Sequence, residues 1–149
     1  MQRCSLLRIG AVAAALVVPA AAWALEFRSV AEPAVLYDAP SKQAKRLYAI
    51  ARYTPVEVVV SVEGWVKVRD ASGDIAWIER RQLSDKRMLI VSAAKGEVRR
   101  QAEEGAPLAF ECDKDVVLEL IEAAPPGWAK VKHRDGQTGF VRVTQVWGL

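Results

Sequence analysis

Cysteine and histidine are almost missing from this chain. Two cysteines and one histidine occur in 149 residues, so a Cys–His nucleophile pair or a zinc cluster has little to be built from. Long helical patterns are missing too: seven prolines and nine glycines interrupt them. No run of Lys and Arg is dense enough to track a nucleic acid, despite a net charge of +3. No Gly/Ser-rich linker ties the chain to a second module. Long apolar runs are scarce as well. The one from Ile9 to Ala22 is shorter than the ~20 residues that a bilayer-spanning helix prefers.

That run has a specific meaning. Arg3 and Arg8 precede it with no acid, and Ala22-Trp23-Ala24 follows with small residues at two positions two apart. This is the pattern of a secretory signal peptide over residues 1–24, cut before Leu25; a retained membrane anchor is the competing reading. Cys4 lies ahead of the run and is no lipoprotein acceptor. Cleavage leaves 149 − 24 = 125 residues, with 21 − 2 = 19 basic against 18 acidic. The product is expected to be periplasmic or otherwise secreted, with no membrane or nucleic-acid partner. Only Cys112 remains, so no internal disulfide can form. It alternates with Phe110 and Leu108 against Ala109, Glu111 and Asp113, which puts the thiol on the apolar face of a strand.

What is present is a phrase used twice. Gly64-Trp65-Val66-Lys67-Val68-Arg69 is followed by Gly73 and Trp77-Ile78. Gly127-Trp128-Ala129-Lys130-Val131-Lys132 is followed by Gly136 and Phe140-Val141, each position 63 residues on. Fixed-period similarity marks one supersecondary unit used twice. Apolar periodicity is mostly two, so the chain reads as all-β. Strands are expected over 27–30, 35–37, 47–52, 56–62, 65–69 and 75–79, then a tight helical turn at 80–83. The second lobe repeats the order, with a hairpin turn at Arg134-Asp135-Gly136-Gln137. Val116, Leu118 and Leu120 align with Val56, Val58 and Val60 at an offset of 60, the longer loop Ala123-Ala124-Pro125-Pro126 absorbing the difference. The polar junction Ser84-Asp85-Lys86-Arg87 divides lobe one, residues 25–85, from lobe two, residues 86–149. Such short strands in ~60 residues make two small barrels. Units of that size are marginal alone, so the lobes are expected to lean on each other.

At these residues the chain resembles bacterial SH3-like domains in tandem. The likeness rests on Leu36-Tyr37-Asp38-Ala39-Pro40-Ser41, on Gly-Trp-x-Lys-Val with its following Gly and aromatic-aliphatic pair in both lobes, and on the ending Val146-Trp147-Gly148-Leu149. It implies SH3-like β-barrels and a non-catalytic role in binding cell-wall or protein partners. Lobe two has Val98-Arg99-Arg100 and no proline at the first turn, so it departs from the pattern where the SH3 peptide groove is shaped.

Strand alternation sorts the hairpins. Val66, Val68, Ala76 and Ile78 share the core face, as do Ala129 and Val131. Trp65, Lys67, Arg69 and Trp77 point away, with Trp128, Lys130, Lys132, Phe140 and Arg142 in lobe two. Aromatic faces stack on sugar rings or extended peptides, and neighbouring cations pair with carboxylates. The candidate ligand-binding residues are therefore Tyr37, Trp65, Lys67, Arg69, Trp77, Trp128 and Phe140, and the candidate ligand is peptidoglycan or its stem peptides. The plain alternative is that these aromatics only pack, across strands or between lobes. Tyr37, Tyr48 and Tyr53 have no aromatic counterpart in lobe two, which makes lobe one the choice if one lobe binds. His133 and Cys112 differ in parity and do not form a dyad, and Glu103-Glu104 reads as solvated charge. No catalytic residue, metal or cofactor is expected. A periplasmic adaptor or structural protein without a glycan ligand is the other functional class.

Overall fold

The structure, a computed structural model, describes residues 24–149. The expected leader lies, but for Ala24, outside the described residues. Strands β1 (Glu26–Val30), β2 (Ala34–Tyr37), β3 (Arg46–Ile50), β4 (Pro55–Val62), β5 (Trp65–Arg69) and β6 (Ile75–Glu79) are followed by a 3-10 turn at Arg80–Gln82 and by β7 (Leu83–Ser84). Then come β8 (Met88–Val91), β9 (Lys95–Arg99), β10 (Leu108–Asp113), β11 (Val117–Ala123), β12 (Trp128–Lys132) and β13 (Thr138–Arg142). A second 3-10 turn at Val143–Gln145 and β14 (Val146–Trp147) close the chain. The two sheets run β3-β2-β6-β5-β4-β1-β7 and β10-β9-β13-β12-β11-β8-β14, the same order strand for strand. The molecule is all-β: two tandem SH3-like barrels.

The alternation read in the hairpins holds. Val66, Val68, Ala76 and Ile78 are at most 3% exposed and sit with Val30, Leu36 and Val56 in the first core. Leu89, Val91, Val98, Leu118, Ala129, Val131 and Val141 form the second. Each fully buried Leu, Ile or Val side chain contributes about 1.5–3 kcal/mol. Cys112 lies in that core as expected, and burial pushes its thiol up, with Asp113 and Asp135 adding to the effect.

Two details of the repeat need correction. The β4–β5 register slips between Val58 and Val60, and β11–β12 slips between Leu120 and Glu122. Val58 faces Val68 as Leu120 faces Val131, so the true offset here is 62, not 60. The loop after β11 therefore absorbs one residue rather than three. The second correction concerns Tyr48. It pairs with Leu36 as Phe110 pairs with Val98, so Phe110 is its aromatic counterpart. The lobes also differ at a tight spot. Gly139 takes the place of Ala76, and a Cβ there would come within 2.6 Å of both Arg99 O and Val98 Cγ1.

The lobes meet along a seam built from the first and last strands. The Phe27 and Trp147 rings meet edge to face, centroids 5.1 Å apart at 86°, and the Arg87 guanidinium sits over Phe27 at 5.7 Å. Arg87 Nη2 donates to Gly148 O at 2.7 Å, and Ser29 Oγ, fully buried, donates to Lys86 O at 2.7 Å. Gly148 has φ +116°, and a Cβ on it would lie 2.8 Å from Met88 O; only glycine fits this backbone here. The aromatic pair between the lobes is thus Phe27–Trp147, not any pair of hairpin aromatics.

Candidate functional site

Lobe one gathers its chemistry around Trp65. β5 and β6 place Trp65 opposite Glu79 and Lys67 opposite Trp77, while Tyr37 of β2 pairs with Trp77 from the other side. The Tyr37 and Trp65 rings meet edge-on at 5.5 Å and 90°. Tyr37 is only 8% exposed, so it backs Trp65 rather than offering a face of its own. Lys67 Nζ stands 5.7 Å from the Trp77 centroid, close enough for a weak cation–π contact.

Arg69 does not join this platform as a free cation. Its Nη1 donates to Glu57 Oε2 at 2.9 Å, across the β4–β5 pairing that sets the two residues opposite each other. An opposite-charge cross-strand pair of this kind mainly supports the sheet.

The sequence reading missed the other half of the site. A groove of ≈ 670 Å³ runs beside Trp65, bounded by Pro40, Ser41 and Lys42 of the β2–β3 loop and by Arg80 and Arg81 of the 3-10 turn. Glu79 lies in it, bonded by Arg81 at 2.8 Å and approached by Lys42 at 3.6 Å. The Arg81 hydrogen bond holds the Glu79 carboxyl below its ordinary range against the upward push of burial. Arg80 Nη2 donates to Val62 O at 2.7 Å, which fixes the guanidinium at the rim. Three cations against one carboxylate leave the groove net positive. The signal in the sequence is the pair Arg80-Arg81 directly after β6, where the pattern by itself assigns only a tight helical turn.

Lobe two keeps the frame and changes the chemistry. Arg99 takes Tyr37's place beside Phe140, with its guanidinium spent on Glu97 at 2.6 Å and Ala106 O at 2.7 Å. Arg142 replaces Glu79 opposite Trp128, lies over that ring at 5.1 Å and pairs with Glu104. Glu104 is solvated surface charge as expected, 83% exposed, and pairs there with Arg142. Lys130 lies 6.0 Å from the Phe140 centroid and pairs with Glu122 at 3.2 Å. Val143 and Thr144 stand where lobe one has Arg80 and Arg81. Among the described residues, no three His, Cys, Asp or Glu side chains converge on a possible metal position.

The bacterial SH3 domain family matches this chain twice, over residues 30–85 and 92–148. No curated protein matches it. Among solved structures it is similar to NlpC2 from Trichomonas vaginalis (11% identity, TM-score 0.37, 83% of this chain and 48% of that one). It is also similar to NlpC1 from the same organism (12%, 0.36, 91% and 50%). A third is an NlpC/P60 family protein from Bacillus cereus ATCC 10987 (14%, 0.38, 82% and 56%). The chain spans about half the length of each of these structures. Two matched segments on two sheets of one strand order leave a single assignment: the chain belongs to the bacterial SH3 domain family.

Proposed function

We propose that the protein is a non-catalytic, exported binding module that recognises peptidoglycan through its stem peptides, with lobe one as the binding lobe. The observation that carries this reading is the Trp65 groove, where a half-buried indole is flanked by Lys42, Arg80 and Arg81. An extended peptide can lie on the indole while its carboxylates reach the rim cations. Trp128 has no such cations from its 3-10 turn, and its neighbouring Arg142 is already paired. Trp77 and Lys67 continue the surface away from the groove.

The test is co-sedimentation of the purified protein with washed sacculi. Wild type should be retained, a folded Trp65→Ala variant lost, and Trp128→Ala retained. Failure of the wild type to sediment would remove the wall reading. A periplasmic adaptor role is the second reading, favoured by the exposed end of β4. There Val60 and Val62 are 46% and 38% exposed, on a stretch that β1 does not cover.

A further inference from the structure

The seam between the lobes holds a second cleft, separate from the Trp65 groove. Its volume is ≈ 570 Å³, within the range of small-molecule sites, which favour the boundaries between lobes. Arg52 and Tyr53, from the turn before β4, form one wall. Lys86 of the junction lies between the lobes, and the start of β11 with Lys132, His133 and Arg134 forms the other wall.

The charges of this cleft do not balance. Lys86 and Glu119 neutralise each other at 3.2 Å. Among the described residues, Arg52, Lys132 and Arg134 have no carboxylate within ion-pair distance, and Asp115 is the one acid left in the lining. Three cations less one acid leave a surplus of two positive charges. The Tyr53 ring lies against two of the cleft's cations, Arg52 Cζ at 4.6 Å and Lys86 Nζ at 5.2 Å from its centroid.

His133 also lines the cleft, its Nδ1 shut off from solvent beside Asp135 Oδ1 at 3.0 Å. Tyr53 (φ 68°) and Asp115 (φ 69°) are the same left-handed turn position in the two repeats, their N–H groups donating to Val30 O and Val91 O, and the two turns come together across this cleft.

We propose that the seam cleft binds a small oxyanion carrying two or more negative charges, as phosphate or as carboxylate, held by Arg52, Lys132 and Arg134. The site is independent of the peptide groove and draws its walls from both lobes.

The test is a titration of the whole protein with inorganic phosphate and, separately, with citrate, chloride holding the ionic strength constant. The Tyr53 ring and His133 imidazole signals are followed by NMR. Saturating shifts are expected with at least one probe, and the probe that saturates identifies the source chemistry. Arg52→Gln and Arg134→Gln should each weaken binding about tenfold, while Lys42→Gln with Arg81→Gln in the groove should leave it unchanged. A melting curve checks each variant, and each single substitution stands if the pair together unfolds. Shifts that never saturate, or that persist equally in Arg52→Gln and Arg134→Gln, would overturn the proposal.

Discussion

The Tyr48 hydroxyl donates to Asp70 Oδ2 at 2.9 Å, tying β3 to the turn between β5 and β6. Asp70 Oδ1 meanwhile accepts from the backbone N–H groups of Ser72 and Asp74 at 2.9 and 3.1 Å. Lobe two fills the same two places with Phe110 and His133, whose rings lie 5.8 Å apart. A hydrogen bond in one lobe is a ring contact in the other, so the two lobes should answer differently to pH.

Burial acts first on Asp70 and pushes its carboxyl up, but donors from Ser72, Tyr48 and the turn backbone together bring it below its ordinary value. Burial and then Asp70 push the Tyr48 phenol up. Asp70 therefore stabilises the fold above its unfolded value of about 4, and this is lost as pH falls through the lower folded value. Tyr48 contributes fully below about 10, and that is lost as pH rises through its raised folded value. Tyr48→Phe should cost about 1 kcal/mol at neutral pH, modest because solvent still reaches the pair. Denaturant midpoints should show that cost shrinking once Asp70 is protonated. An undiminished cost in acid would separate the two groups.

The groove cations predict a salt-sensitive interaction. Replacing Arg81 by Gln should weaken retention on sacculi by about tenfold and flatten its dependence on salt. It also frees Glu79, so Arg81→Lys, which keeps the charge but not the fork, should recover part of the loss. Retention indifferent to both substitutions would place the ligand elsewhere.

Gly139→Ala should destabilise by about 1–3 kcal/mol, because the added methyl must push against the Arg99 carbonyl and Val98. Ala76→Gly at the matching place in lobe one should cost about 1 kcal/mol through lost packing and added chain freedom. Chemical denaturation of the two variants orders these costs.

Trp147→Ala removes the edge contact with Phe27. With Trp147 half-buried, a loss of about 2–3 kcal/mol is expected, below the range for a fully buried ring. Calorimetry should show the single transition of wild type broadening or splitting, because lobes of ~60 residues are marginal without mutual cover. One sharp transition at an unchanged temperature would mean that the seam is not coupled to lobe stability.

The hairpins were legible because alternation in β5 and β6 is unbroken and Gly64-Trp65 recurs as Gly127-Trp128. The burial of Tyr37 was not. It shares the outer face of its cross-strand partner Trp77 and is covered there by the Trp65 ring, a tertiary contact that a period-two pattern does not carry. Arg69's tie to Glu57 needed the β4–β5 register, and Phe110's match to Tyr48 needed an offset one residue shorter than the hairpin period. Lys42, Arg80 and Arg81 come together only when the β2–β3 loop folds beside the 3-10 turn. Trp147 enters the sequence reading only through the family-like ending Val146-Trp147-Gly148-Leu149, and its partner lies in the first strand of the fold.

That partnership also sets an order of events. Phe27 and Trp147 are 147 − 27 = 120 residues apart, whereas each barrel closes on contacts within its own ~60 residues. The barrels can form while the seam is still open, leaving the exposed Phe27 ring and the buried-to-be Ser29 waiting for Lys86, Arg87 and Trp147 to arrive. A chain held at that stage would carry two marginal barrels and one uncovered aromatic ring on a strand already paired to β4 and β7, so it could associate with a neighbour through that ring as well as unfold.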